Sequence, residues 1–258
     1  MNESPVVLSV SGAVATVAIN RPEARNSLFR GLGGMICGIL REVAADKSIR
    51  VVVFRGVGND FCPGADLKYR TSDGQAKPGP DFDAYDVTVL LHEMPQVTIA
   101  AIRGACAGAG LGWACACDLR VSDETAKFNT AFLDVGVAGD MGVPWTLPRL
   151  IGAGRARDLM YFPRKLGSAE AQGIGLIERV WPNDLFETEL LALADRLAAA
   201  PPIALAGMKG NFIAAERTDL RSFMALEAER HVRVLQTADH AEALKAWSEK
   251  RPGQFTGR

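Results

Sequence analysis

An apolar run with no polar interruption sets the strongest limit on how this chain folds. Residues 50–55 hold Val51, Val52, Val53 and Phe54 in a row. A strand with one wet face alternates apolar and polar residues, so four in succession require cover on both faces, as in a parallel sheet packed between helices. Val97–Ile102 reads as a second buried strand, and each run leads into a glycine-bearing turn, at residues 56–64 and 104–112. Upstream, residues 6–10 and Val14–Ile19 flank Ser11-Gly12-Ala13 and read as a hairpin. Further strands are expected at residues 119–122, 127–130 and 176–180. Helices are expected from Asn26 or Ser27 to Ala45, from Ala65, and over residues 83–93 and 111–117. Residues 70–80, polar and rich in Gly and Pro, read as a mobile surface loop.

Past Gly142 helical periodicity dominates, and Pro201-Pro202 marks a break. This alternation predicts the α/β class, with an α/β core over residues 1–195 and a helical region over residues 196–258.

Charge and cysteine usage exclude several functions. Lys and Arg number 29 against 30 Asp and Glu, so no like-charge field is available to grip nucleic acid or an anionic membrane. The five cysteines, Cys37, Cys62, Cys106, Cys115 and Cys117, lie in apolar or Gly/Ala-rich stretches without CxxC spacing. They read as reduced, buried thiols of a cytoplasmic protein rather than as metal ligands. The first residues carry no cationic, then apolar, leader pattern, and no apolar stretch is long enough to span a bilayer.

Two turns can carry chemistry. Cys62-Pro63-Gly64-Ala65-Asp66-Leu67-Lys68 follows a buried strand and reads as a helix start, where the Ala65 N–H is free to face a developing negative charge. The plainer alternative is a turn capped by Asp66. Gly108-Ala109-Gly110-Leu111-Gly112 is a second such turn, or else a place of tight helix–sheet packing. A dinucleotide site is excluded, because the third glycine of GxGxxG and the downstream acid are both missing. Two turns with one backbone donor each meet the requirement of a two-donor oxyanion hole.

The order of motifs along the chain resembles the enoyl-CoA hydratase/isomerase (crotonase) superfamily. The matching stretches are Asn20-Arg21-Pro22-Glu23-Ala24-Arg25-Asn26, Phe61 to Lys68, Ala100 to Gly104, Gly108 to Gly112, Cys117-Asp118, Val135 to Asp140, Leu147 to Gly152, and Ala169 to Val180. The resemblance implies a spiral of repeated ββα units with a C-terminal helical region, assembled as a homotrimer or a dimer of trimers. It implies an acyl-CoA thioester as substrate, with coenzyme A bound as part of that substrate and no separate cofactor. The thioester carbonyl would sit between the N–H groups of Ala65 and Ala109. Ala65, Asp66, Leu67, Lys68 and Tyr69 would line the coenzyme A side, and Arg25 and Lys68 would lie near its phosphates or adenine.

The catalytic acids depart from the hydratase pattern. The two hydratase glutamates fall on Gly112 and Phe132, neither of which transfers a proton. Asp140 stands where several isomerase branches carry an active-site aspartate, so the resemblance favours double-bond isomerisation or related enolate chemistry with Asp140 as acid/base. The alternatives are a non-catalytic thioester-binding member, or a hydratase or retro-aldol lyase using Asp140. As a simpler role, Asp140 would cap the helix starting near Gly142. Asp134 reads as solvent-facing, His92 as a satisfied surface or core residue, and Phe132 and Trp145 as pocket wall or core.

Overall fold

The structure is a computed structural model that describes residues 4–66 and 82–258. Strands β1 (Val6–Ser11) and β2 (Val14–Ile19) form the expected antiparallel hairpin. The sheet continues in parallel through β3 (Val51–Gly56), β4 (Val97–Ile102), β6 (Leu119–Asp123) and β9 (Arg179–Trp181), in the order β1-β2-β3-β4-β6-β9. A smaller sheet joins β5 (Ala105–Ala107), β7 (Lys127–Asn129) and β8 (Leu166–Gly167). The missing alternation now has its reason. Val52, Phe54, Ala100 and Ile102 enter the main core, whereas Val51, Val53, Ile99 and Ala101 face a second cluster on the opposite side of the sheet.

The main core is covered by helices α1 (Leu32–Ala45), α2 (Phe82–Glu93), α3 (Ala109–Ala116), α4 (Val143–Ile151) and α5 (Ala153–Tyr161). After α6 (Ser168–Gly173), helix α7 (Phe186–Ala198) closes the second cluster through Phe186, Leu190 and Ala194. Trp113, Phe54 and Phe61 pack edge to face, with ring centroids 5.7 and 6.0 Å apart, and Trp113 Nε1 donates to Ala84 O at 3.0 Å. Contacts of this kind add stability beyond burial alone. They fix the end of β3 against α2 and α3.

One helix start differs from the sequence reading. The first helix begins at Leu32, not at Asn26 or Ser27. Arg25 and Asn26 adopt left-handed conformations (φ 56° and 63°), and Asn26 is fully buried. Its Oδ1 accepts from Arg21 N–H, and its Nδ2 donates to the carbonyls of Val57 and Asp60. A residue that braces a loop in this way cannot also cap a helix. Ala65 forms an isolated parallel bridge with Leu28, and the helix expected after it falls outside the described residues. Leu67, Lys68, Tyr69 and the loop expected at residues 70–80 lie outside the described residues.

Three helices end the chain: α8 (Pro202–Ala215), α9 (Leu220–Leu235) and α10 (Ala238–Glu249). Among the described residues no single helix is long and apolar enough to cross a membrane. Helix α8 is tied to the core by Lys209, whose buried ammonium donates to Leu91 O (3.2 Å), Gln96 O (2.9 Å) and Asp118 Oδ2 (2.7 Å). Asp118 Oδ2 also accepts from Thr98 N–H and Oγ1. Removing one partner leaves the other charge uncompensated, so Lys209→Met should cost about 3 kcal/mol in urea unfolding. Combining it with Asp118→Asn should recover part of that loss.

Candidate active site

The two glycine turns meet through their backbones. Phe61 N–H donates to Arg103 O (2.8 Å), Cys62 N–H to Ala105 O (2.9 Å) and Ala107 N–H to Cys62 O (3.0 Å). This pairing sets Gly64-Ala65 against Gly108-Ala109. A Cβ on Gly64 would stand 3.1 Å from Ala107 O and 3.6 Å from Ala109 N, and Gly64 holds φ 96°. Gly108 takes φ 50° and ψ −120°, a combination open essentially to glycine.

The two candidate donors are left unused by the local ladders. In the bridge with Leu28, Leu28 N–H donates to Gly64 O and Asp66 N–H donates to Leu28 O, so the Ala65 N–H lies on the other side of its strand. Gly108 N–H is taken by Asn129 O (3.1 Å), but Ala109 is the first residue of α3, and its N–H has no partner within the helix. Ala65 is exposed and Ala109 buried, so the gap between them opens outward.

Around the turns sit the remaining expected residues. Asp66 accepts from Ser27 Oγ (3.1 Å) and faces Arg21 at 3.6 Å, which puts it in a side-chain network. Arg25 is mostly exposed and makes a two-pronged pair with Asp60, at 2.8 and 2.9 Å. The guanidinium beside it holds the Asp60 carboxyl below its ordinary range, and Asp60 also accepts from Ala105 N–H. His92 pairs with Glu216 at 2.9 Å, and Asp134 is exposed. Trp145 is half exposed beneath the Arg149 guanidinium. All five cysteines are buried and unbridged.

Asp140 is not a helix cap. Gly142 (φ 72°) occupies the cap of α4, and Asp140 contributes only its carbonyl, to Val143 N–H at 3.0 Å. Its Oδ1 is buried with no hydrogen-bond partner among the described residues. Burial raises the carboxyl above the ordinary aspartate range. Its charge reaches two neighbours that are raised first by their own burial, the Cys62 thiol, pushed up to about 12, and the Tyr85 phenol. A partly desolvated acid with no structural bond to make is a common mark of a functional site.

The positions aligned with the hydratase acids are closed. A Cβ on Gly112 would overlap Met141 Cβ and lie 2.8 Å from Met141 O. Phe132 is 3% exposed, and its Cε1 would be 3.9 Å from a Cβ on Gly108, so its ring covers that turn. Sequence reasoning passed over Met141 (φ 45°) and Thr88, whose Oγ1 donates to Met141 O at 3.3 Å. The only hint was the pair of glycines, Gly139 and Gly142, enclosing Asp140 and Met141.

Comparison with known proteins places this geometry in context. The enoyl-CoA hydratase/isomerase family model matches residues 9–258. A probable enoyl-CoA hydratase of Rhodobacter capsulatus is 33% identical over all of both chains. A 1,2-epoxyphenylacetyl-CoA isomerase of Escherichia coli is 32% identical over 98% of each. The crystal structure of an enoyl-CoA hydratase from Bacillus anthracis superposes with a TM-score of 0.91 at 30% identity, covering 99% of this chain and all of the other.

The buried carboxylate has a consequence for stability. Its pKa is raised in the folded state, so the ionised form costs stability as pH rises through that value, and the cost is absent below the unfolded pKa of about 4. Asp140→Asn should therefore raise the thermal midpoint at pH 7. The gain should vanish in acid, as followed by circular dichroism across pH.

Proposed function

Because the chain belongs to the enoyl-CoA hydratase/isomerase family, we propose that it processes acyl-CoA thioesters by double-bond isomerisation, or related enolate chemistry, run from one carboxylate. The observation that carries this reading is the buried Oδ1 of Asp140, without a partner among the described residues, together with the crowding at Gly112 and the buried phenylalanine at position 132.

In this mechanism the thioester carbonyl lies between the N–H groups of Ala65 and Ala109. The Asp140 carboxylate takes a proton from the α- or γ-carbon, and the C–H electron pair moves onto the carbonyl oxygen. Each backbone donor stabilises that oxyanion by ~2.7–4 kcal/mol. When the carbonyl re-forms, the carbon at the other end of the conjugated system takes the proton back from Asp140. One acid suffices because the proton is returned rather than exchanged with a second group.

Hydration would need a water held and deprotonated opposite an acid. Phe132 and Gly112 supply neither group, which weighs against that chemistry despite the hydratase name of the Rhodobacter relative. Coenzyme A would run along residues 65–69, with Arg25 and Lys68 at its charged end. Arg25 suits that place because it is exposed at the rim of the first turn.

The test is a panel of acyl-CoAs in D₂O followed by mass spectrometry. Deuterium entering the α- or γ-carbon supports enolate formation. No change in the mass or the absorbance of any thioester supports a binding-only protein, and a product heavier by a whole D₂O, with one deuteron on the α-carbon, supports a hydratase. On the substrate that exchanges, Asp140→Asn should lower kcat by ~10²–10⁴ and leave thioester Kd nearly unchanged, because the backbone donors survive. Unchanged kcat would remove Asp140 from the mechanism. In the wild type, kcat should fall with acid at a pH above the ordinary aspartate range, since only the ionised form accepts a proton and burial raises its pKa.

A homotrimer, or a dimer of trimers, is part of the same proposal. Met208, Phe212, Leu235, Leu244 and Trp247 on the last three helices are exposed in the single chain, Trp247 at 83%. Apolar area of this extent is what an oligomer covers. Sedimentation velocity at micromolar concentration should give a trimer or hexamer, and a monodisperse monomer would contradict it.

A further inference from the structure

The turn at residues 139–142 holds three left-handed residues around Asp140: Gly139 (φ 110°), Met141 (φ 45°) and Gly142 (φ 72°). Two of the three are glycines, which accept such angles freely; Met141 is not, and a buried methionine holds φ 45° only when its surroundings leave no alternative.

Three contacts impose that conformation. The Met141 side chain is 3% exposed and belongs to the main core cluster. Its carbonyl accepts from Thr88 Oγ1 on α2, at 3.3 Å. Its Cβ rests on Gly112 of α3, in space that any side chain at position 112 would claim. Thr88 also bounds the next residue, since a Cβ on Gly142 would meet its Cγ2 at 3.3 Å. Met141 is thereby gripped between α2 and α3, while the neighbouring Asp140 side chain makes no hydrogen bond through Oδ1 to hold itself.

We propose that Met141, clamped by Gly112 and Thr88, is a positioning residue that aims the Asp140 carboxylate, and that the bare glycine at position 112 is the condition for that clamp. This rests on the reading of Asp140 as the acid/base. It adds that the carboxylate is placed through its neighbour's backbone and not by bonds of its own. It also gives position 112 a definite role, because a side chain there displaces the turn that carries the acid.

A double-mutant cycle tests the clamp, read by kcat, KM and the titration of Asp140. The titration is followed by carbon NMR of aspartate-labelled protein and assigned by comparison with Asp140→Asn. Gly112→Ala should lower kcat at least tenfold with KM within twofold, and should lower the Asp140 pKa as the displaced carboxyl gains water. In the Met141→Gly background the opposing Cβ is gone and only the 2.8 Å approach to the carbonyl of residue 141 remains, so Gly112→Ala should cost clearly less there than in the wild type. Met141→Leu, which keeps bulk and the Cβ contact, should retain activity.

Equal losses from Gly112→Ala in both backgrounds would overturn the proposal, as would an Asp140 titration unmoved by it. Should Gly112→Ala fail to fold, Thr88→Val removes the hydrogen bond to Met141 O at constant shape. It should lower both kcat and the Asp140 pKa, and no change in either would overturn the clamp. Failure of the parent reading is separable. If Asp140→Asn keeps full kcat, the acid/base assignment falls, while the NMR titration still judges whether Met141 positions the carboxylate.

Discussion

Everything proposed for this protein depends on a short backbone zipper between two strand exits, Phe61 to Arg103, Cys62 to Ala105 and Ala107 to Cys62. Each such bond contributes only about 1 kcal/mol net, and the larger effect is on register. With Cys62 paired to Cys106, the first turn cannot slide along the second. Gly110 enforces the closeness, since a Cβ there would overlap Cys62 O. Two peptide N–H groups from residues 44 positions apart (65 and 109) are thus presented together by backbone alone. A site built this way tolerates change in its side chains, which suits a family whose named members include both hydratases and isomerases.

Buried braces at a distance keep the zipper in place. Asn26 ties Arg21 to the carbonyls of Val57 and Asp60, and Asp60 in turn holds Arg25 on one side and Ala105 N–H on the other. One asparagine and one aspartate therefore span the hairpin exit, the first turn and the start of the second. Asp140 stands in contrast. Its Oδ1 is buried with no partner among the described residues, in a turn with a left-handed methionine, and both features oppose folding. Such features persist where the arrangement serves reactivity.

Reading the chain without coordinates succeeded where a signal is local. The hairpin at β1 and β2, the buried strand β4 and helix α9 were visible from period, turn glycines and spacing. It failed where a residue's partners are remote. Asn26 has the composition of a helix cap, but its three bonds reach residues 21, 57 and 60, and it becomes a loop brace. There, contacts made across the fold outweighed a sound local preference.

The site divides along the same line. Sequence by itself determined the α/β class, the two glycine turns, the absence of acids at positions 112 and 132, and Asp140 as the one carboxylate left in the expected place. These are questions of residue identity and order, which the chain states directly. Only the tertiary structure decided that Asp140 is partly desolvated with no partner for Oδ1 among the described residues, that Phe132 seals the second turn, and that Gly112 is bare because Met141 fills its space. Desolvation and steric exclusion belong to pairs of segments far apart in the chain, and they exist only once packing has brought those segments into contact.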